Sequence, residues 1–188
     1  MTEFKTFSQD LERIVYSKEQ IEEMLDRLGK EITECYQDSV TERPLILTCV
    51  LKGSFIFMAD LIRKIDLPCQ VMFLRASSYG NSTVSSGNVK VQLPENEAMN
   101  GADILLVEDI LDSGRTLEKL SDVFRSSGAA SIRICTMLDK PARRVAPIQT
   151  DFKGFEVEDE FLVGYGLDYN EIYRNLPYIA ILKRDVYS

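Results

Sequence analysis

No histidine occurs in the 188 residues, and no tryptophan. Without histidine the usual general base near neutral pH and the commonest metal-binding imidazole are both missing. Any proton transfer must fall to Asp, Glu, Lys, Tyr or Cys. The four cysteines, Cys35, Cys49, Cys69 and Cys135, form no CxxC pair. That excludes a zinc knuckle, and a chain this long needs no disulfide framework to hold a core. They read as buried thiols in a reducing cytoplasm. No apolar run approaches the roughly 18 residues of a membrane span. The opening Met1-Thr2-Glu3-Phe4 lacks the basic and apolar regions of a signal peptide. Basic charge is scarce as well: 22 Lys and Arg against 30 Asp and Glu leave a net charge of −8. A protein built to hold nucleic acid wants a basic face, so that class is excluded. An anionic small molecule is not, because a local site can oppose the global charge. There is no internal repeat and no GxxxxGK[ST] phosphate loop.

What remains is a globular composition, 45% apolar and 28% charged, expected to fold as one domain over residues 1–188. Ser17-Lys18-Glu19-Gln20 spells a capping box, and Ile21, Met24, Leu25, Leu28 and Ile32 follow at helical spacing to about Tyr36. Leu45–Leu51 is a run of seven uncharged residues, the pattern of a strand buried on both faces. A helix over 55–65 and a strand over 70–75 complete a strand–helix–strand unit, which implies a parallel sheet. Residues 76–88 form a polar loop rich in Ser, Gly and Asn, of a length that connections reach when they carry function. A short strand is expected over 89–93 and central strands over 103–108 and 131–138. A helix over 116–127 ends at Gly128. Short strands near 161–164 and 178–182 close an α/β chain.

Ligands of open parallel sheets bind beyond the carboxyl ends of the strands. Four predicted strand ends carry polar or Gly-rich clusters: Lys52-Gly53-Ser54, the polar loop, residues 108–116, and Asp139-Lys140-Pro141. The third cluster is the most telling. Asp112-Ser113-Gly114-Arg115-Thr116 opens a helix, where free backbone N–H groups and the dipole favour an anion. Glu108, Asp109 and Asp112 stand just before it. Alone, Asp112 reads equally well as a helix cap. Together, the carboxylates suit ribose hydroxyls or Mg²⁺, and the turn suits a phosphate. The residues thus point to a sugar phosphate.

VEDILDSGRTL over 107–117 resembles the phosphoribosyl-pyrophosphate (PRPP) motif of the type I phosphoribosyltransferases. EFLVGYGLDYNEIYRNLP over 160–177 is similar to the 6-oxopurine branch of that family, the hypoxanthine-guanine enzymes. LKGS over 51–54 and Ser78-Tyr79 match two further loops of the branch. The resemblance runs from about Ile14 to Leu182. It implies the type I phosphoribosyltransferase fold: a mostly parallel central sheet flanked by helices, with a small hood formed by terminal segments. It implies an enzyme of purine salvage that uses Mg²⁺, binds PRPP and 6-oxopurines, touches neither nucleic acid nor membrane, and works as a homodimer or homotetramer.

Roles follow residue by residue. Glu108 and Asp109 would engage the ribose hydroxyls, partly through Mg²⁺. Ser113, Gly114, Arg115 and Thr116 would cradle the 5′-phosphate, and Asp112 would be the general base near purine N7. Lys140 would donate to the purine O6, against the default of a solvated lysine. Arg143 and Arg144 stay open between site and surface. Phe161 would stack on the purine, with the backbone of Leu162 along its edge. Asp168 would hold a second Mg²⁺ and Arg174 would pair with pyrophosphate. Lys52 and Gly53 would bind pyrophosphate through backbone N–H groups, after a peptide bond that is often cis in the family. The loop with Ser78 and Tyr79 would close over the reaction and is expected to be poorly ordered without ligand. The stretch before Ile14 carries no legible pattern. A regulator that kept the fold and lost catalysis, and a transferase for xanthine, remain as rivals.

Overall fold

The first strand comes from residues in which sequence patterning shows nothing. In a computed structural model that describes residues 7–78, 89–91 and 99–187, β1 (Leu11–Tyr16) pairs antiparallel with residues near the C-terminus. The capping box then forms as spelled: the Ser17 hydroxyl accepts from the Gln20 amide, and the Gln20 side chain accepts from the Ser17 amide. It opens α1 (Lys18–Tyr36), which buries Ile21, Met24, Leu25, Leu28, Ile32 and Tyr36. β2 (Leu45–Leu51) is buried along almost its whole length, as a strand covered on both faces must be.

α2 (Phe55–Leu61) is shorter than expected and passes into a single 3₁₀ turn, Ile62–Lys64. It turns Phe57 and Met58 inward and leaves Phe55 exposed. β3 (Gln70–Ser78) runs past the expected Arg75 because its last three residues pair with β4 (Val89–Val91). The remainder of the strand expected to Leu93 lies outside the described residues. β5 (Asp103–Leu111), α3 (Arg115–Ser126) and β6 (Ser131–Asp139) follow. Gly128 terminates α3 at φ +83°. β7 (Phe152–Glu156), unforeseen in the sequence, is followed by β8 (Leu162–Val163), β9 (Ile179–Leu182) and α4 (Arg184–Tyr187).

The large sheet has the order β4-β3-β2-β5-β6-β7, with five parallel strands and β4 antiparallel at one edge. α1 and α2 cover one face and α3 the other, each over its own apolar cluster. From β2 the chain winds outward to β3 and later returns on the opposite side as β5. The winding therefore switches direction between β2 and β5, and the crevice at their carboxyl ends is where a ligand belongs. A second sheet, β1-β9-β8, sits as a hood over that end with its own cluster around Val163, Tyr173, Leu176 and Leu182. The expected fold class is thereby borne out, hood included.

Candidate active site

The crevice between β2 and β5 opens into a cavity of about 250 Å³ lined by Lys52, Gly53, Glu108, Asp109, Asp112 and Gly114. On the β2 side the Leu51–Lys52 peptide bond is cis. Gly53 follows, packed so closely on β5 that a Cβ there would lie 1.5 Å from Asp109 Oδ2. Its carbonyl in turn abuts Gly166 of the hood, where a Cβ would lie 2.1 Å away. Glycine at 53 is thus a matter of space, and at 166, with φ +103°, of conformation as well.

Asp109 does not follow the strand, as expected, but lies within it beside Glu108, since β5 continues to Leu111. Burial pushes the Glu108 carboxyl well above its ordinary value, and the neighbouring Asp109 adds to the shift. Burial also raises Asp109, although bonds from Glu108 and from the backbone amides oppose the shift. The Ile110 amide donates to Asp109 Oδ1 at 2.7 Å. Two carboxyls held together in this way want a cation or hydroxyl donors. No group of three or more metal-ligating side chains occurs among the described residues.

The raised carboxyls have a consequence for stability. The native chain holds protons here that the unfolded chain releases. Stability from this pair is therefore full below the ordinary carboxylate range and is lost as pH rises through the raised values. Glu108→Gln should match the wild type in melting temperature at acid pH and exceed it increasingly toward neutrality. Parallel melting curves across pH test this; curves that stay superimposed would contradict it.

Beyond Leu111 the backbone turns into α3. Gly114 is its N-cap at φ +82°, and a Cβ there would meet Ile148 Cγ2 at 2.7 Å and Arg144 Cδ at 3.1 Å. Both conformation and packing therefore demand glycine. The Glu118 amide bonds the Gly114 carbonyl as the helix's first turn, and Gly114 as N-cap has no side chain to offer the amides before Glu118. The N–H groups in the first turn of a helix have no intrahelical acceptor, which suits a phosphate. Arg144, left open by the sequence, buttresses this turn from behind. Its guanidinium donates to the carbonyls of Leu111, Asp112 and Ile148 and pairs with Asp139. The amides of Val145 and Ala146 hold the Ser113 carbonyl.

A second cavity, of about 350 Å³, lies beside the first. Lys140 projects into it from the end of β6. It is no surface lysine: its side chain is 8% exposed, and Nζ donates to the Glu160 carbonyl at 2.6 Å with Asp159 Oδ1 at 3.6 Å. An ammonium has three donors, and these contacts leave capacity for a ligand. Phe161 lines the cavity with one face stacked on Tyr187 of α4 at 4.6 Å and an edge against Tyr169. Leu162 is buried beside it in β8. Ile110 and Asp112 line both cavities. Asp112 does not cap α3. Arg143 Nε lies 3.1 Å from Asp112 Oδ1 as an ion pair, while that shielded oxygen accepts no directed hydrogen bond. Arg143 also reaches Asp159, so the charge left open in the sequence bridges two carboxylates at the cavity wall.

Asp168 and Arg174 come from the hood turn. Arg174 Nη2 pairs with Asp168 Oδ1 at 2.8 Å, and Nη1 donates to the Gly166 carbonyl. Ser78 ends β3, whereas Tyr79 and the rest of the expected closing loop lie outside the described residues.

A family model described as a phosphoribosyl transferase domain matches residues 17–170. The chain belongs to the phosphoribosyltransferase family. It is 53% identical to the hypoxanthine-guanine phosphoribosyltransferase of Bacillus subtilis (strain 168), with 95% of this chain and 97% of that one covered. It is 44% identical to the enzyme of the same name from Streptococcus thermophilus (strain CNRZ 1066), again with 95% and 97% covered. The crystal structure of a hypoxanthine phosphoribosyltransferase from Staphylococcus aureus matches with a TM-score of 0.91 at 40% identity, covering 99% of each chain. The structure of a point mutant of the Trypanosoma cruzi hypoxanthine phosphoribosyltransferase, in a ternary substrates complex, matches at 0.89 and 34%, covering 96% and 100%.

Set on this phosphoribosyltransferase frame, several site residues escaped the sequence. Asp159 sits in an acidic run that reads as a solvated turn. The Glu160 carbonyl leaves no trace in a sequence. Tyr187 comes from a terminal turn, and Glu171 reads as an exposed charge. Asx-rich spelling around Asn170 was the one available signal, since it marks a tight turn.

Proposed function

We propose that this chain transfers the 5-phosphoribosyl group of PRPP to N9 of hypoxanthine, and also of guanine, giving IMP or GMP and pyrophosphate. The observation that carries this is the sharing of Ile110 and Asp112 between two cavities of different character. The first offers helix amides and carboxyls, which suit a sugar phosphate. The second offers a buried ammonium and an aromatic side chain, which suit a flat base bearing a carbonyl. A bond between their ligands would form where they meet, at Asp112.

In this reading N9 attacks C1′ as the bond from C1′ to the pyrophosphate oxygen breaks. The base becomes cationic and its N7 proton turns acidic, so a carboxylate within reach suffices to take it. Asp112 takes that proton. Lys140 donates to O6 and would face a donor in adenine, whose exocyclic amino group it thereby rejects. The amides of 113–116 hold the 5′-phosphate, and the backbone at Lys52 and Gly53 holds pyrophosphate together with Arg174. When bound, Mg²⁺ would be held by Glu108 and Asp109, with Asp168 for a second ion, and would neutralise the departing pyrophosphate. As a homodimer or homotetramer the chain would cover exposed Phe55 and Phe73. We place the reaction in the cytoplasm, where its unpaired thiols stay reduced.

The test is nucleotide formation from PRPP and Mg²⁺ with hypoxanthine, guanine, xanthine or adenine, followed by chromatography. Product from hypoxanthine and guanine and none from adenine is expected. Product from xanthine alone would shift the substrate. No product from any base, with PRPP binding intact, would make the chain a PRPP-sensing regulator.

A further inference from the structure

The turn that carries Asp168 and Arg174 also carries a carboxylate that the reaction does not use. Tyr169 and Ile172 exchange backbone hydrogen bonds at 3.2 and 3.0 Å. The two residues between them, Asn170 and Glu171, have φ of +51° and +64°. These are the features of a two-residue type I′ hairpin, whose second position belongs by preference to glycine. Here it holds Glu171, a side chain kept where backbone conformation disfavours one. The carboxylate spans two cations. Lys52 Nζ donates to Glu171 Oε1 at 2.8 Å, and Arg174 Nη2 reaches Oε2 at 3.3 Å. Arg174 Nε stays buried without a partner among the described residues. Hydrogen bonds from Lys52 and then Arg174 hold the Glu171 carboxyl below its ordinary value, so it is an anion at working pH.

We propose that Glu171 is a resident anion of the pyrophosphate site, competing with pyrophosphate for Lys52 and Arg174 and so promoting its release as product. This rests on the reading of Lys52, Gly53 and Arg174 as that site, and adds the Lys52 ammonium to the backbone groups already assigned to pyrophosphate. In the free protein the carboxylate neutralises Lys52 and shares Arg174 with Asp168, whose Oδ1 lies nearer at 2.8 Å. Arriving PRPP displaces it; departing pyrophosphate is replaced by it. Because the Lys52–Glu171 pair is half exposed on both sides, it is weak enough to exchange. An internal anion of this kind trades substrate affinity for product release.

The test is calorimetric titration of the purine-free protein with inorganic pyrophosphate and Mg²⁺. Wild type is compared with Glu171→Gln and Glu171→Gly. Glu23→Gln, on the exposed face of α1, controls for net charge alone. Both Glu171 variants should bind pyrophosphate at least five-fold more tightly than wild type, with the control unchanged. Product inhibition by pyrophosphate should tighten by the same factor. Glu171→Gly should also melt higher than wild type, since the turn then holds the residue it prefers, which guards against a folding defect. Equal or weaker binding in both variants would overturn the proposal and leave Glu171 as a residue that orients its two cations. Equal tightening in the control would overturn it as well. Absence of pyrophosphate binding in every protein, wild type included, would instead remove the site reading and the proposal with it.

Discussion

Asp112→Asn should fold like the wild type and turn over about 10²–10⁴-fold more slowly, the range that one positioned acid–base group supplies. The expected fold integrity follows from the cap geometry. α3 is capped by Gly114, and the Asp112 side chain faces the cavities instead of the helix amides. Asparagine keeps the shape and one acceptor but takes no proton. The KM for PRPP should change little, because the 5′-phosphate is assigned to the amides of 113–116. Arg143 retains Asp159 as a partner and is not stranded. Steady-state kinetics with saturating PRPP checks this; wild-type turnover would remove Asp112 as the base.

Lys140→Met should lower kcat/KM for hypoxanthine by about 30- to 1,000-fold. The size follows from the loss of a charged hydrogen bond and from an O6 left buried without a donor, together about 2–4 kcal/mol. Methionine fills nearly the same volume, so packing is conserved. The same change removes the donor that faces an amino group, so the ratio of hypoxanthine to adenine turnover should fall toward unity. Measured kcat/KM for the two bases decides it. A large loss with an unaltered ratio would show that Lys140 supports the cavity without reading the base.

Most of the parallel sheet was legible because its strands are continuous apolar runs. β2 and the core of β5 and β6 need no partner to be recognised. The hood was not. β1 carries Glu12 and Arg13, and it is a strand only because β9, far along the chain, lies beside it. Asp10 then accepts from the Tyr173 hydroxyl at 2.9 Å, a contact between the two ends that local patterning cannot contain. β7 has Gly154 at its centre, which weakens a strand signal. The structure explains it, since a Cβ there would lie 2.2 Å from the Met137 carbonyl of β6. Within the site, the phosphate turn was legible because its residue types are rare together. Lys140 was legible only as a resemblance, since nothing in Asp139-Lys140-Pro141 announces a buried ammonium. Arg144 and Glu171 act on backbone carbonyls and on other side chains, so their roles appear only when the turns they join are in place.

A crystal structure with product shows directly whether two ligands meet at Asp112. The protein would be crystallised with IMP, Mg²⁺ and pyrophosphate. The purine should lie against Phe161 with O6 on Lys140, the 5′-phosphate on the amides of 113–116, and the glycosidic bond beside Asp112. Pyrophosphate should lie on the backbone at Lys52 and Gly53, with Glu171 withdrawn from Arg174. A nucleotide bound with its base away from Lys140, or its phosphate away from the start of α3, would contradict this placement.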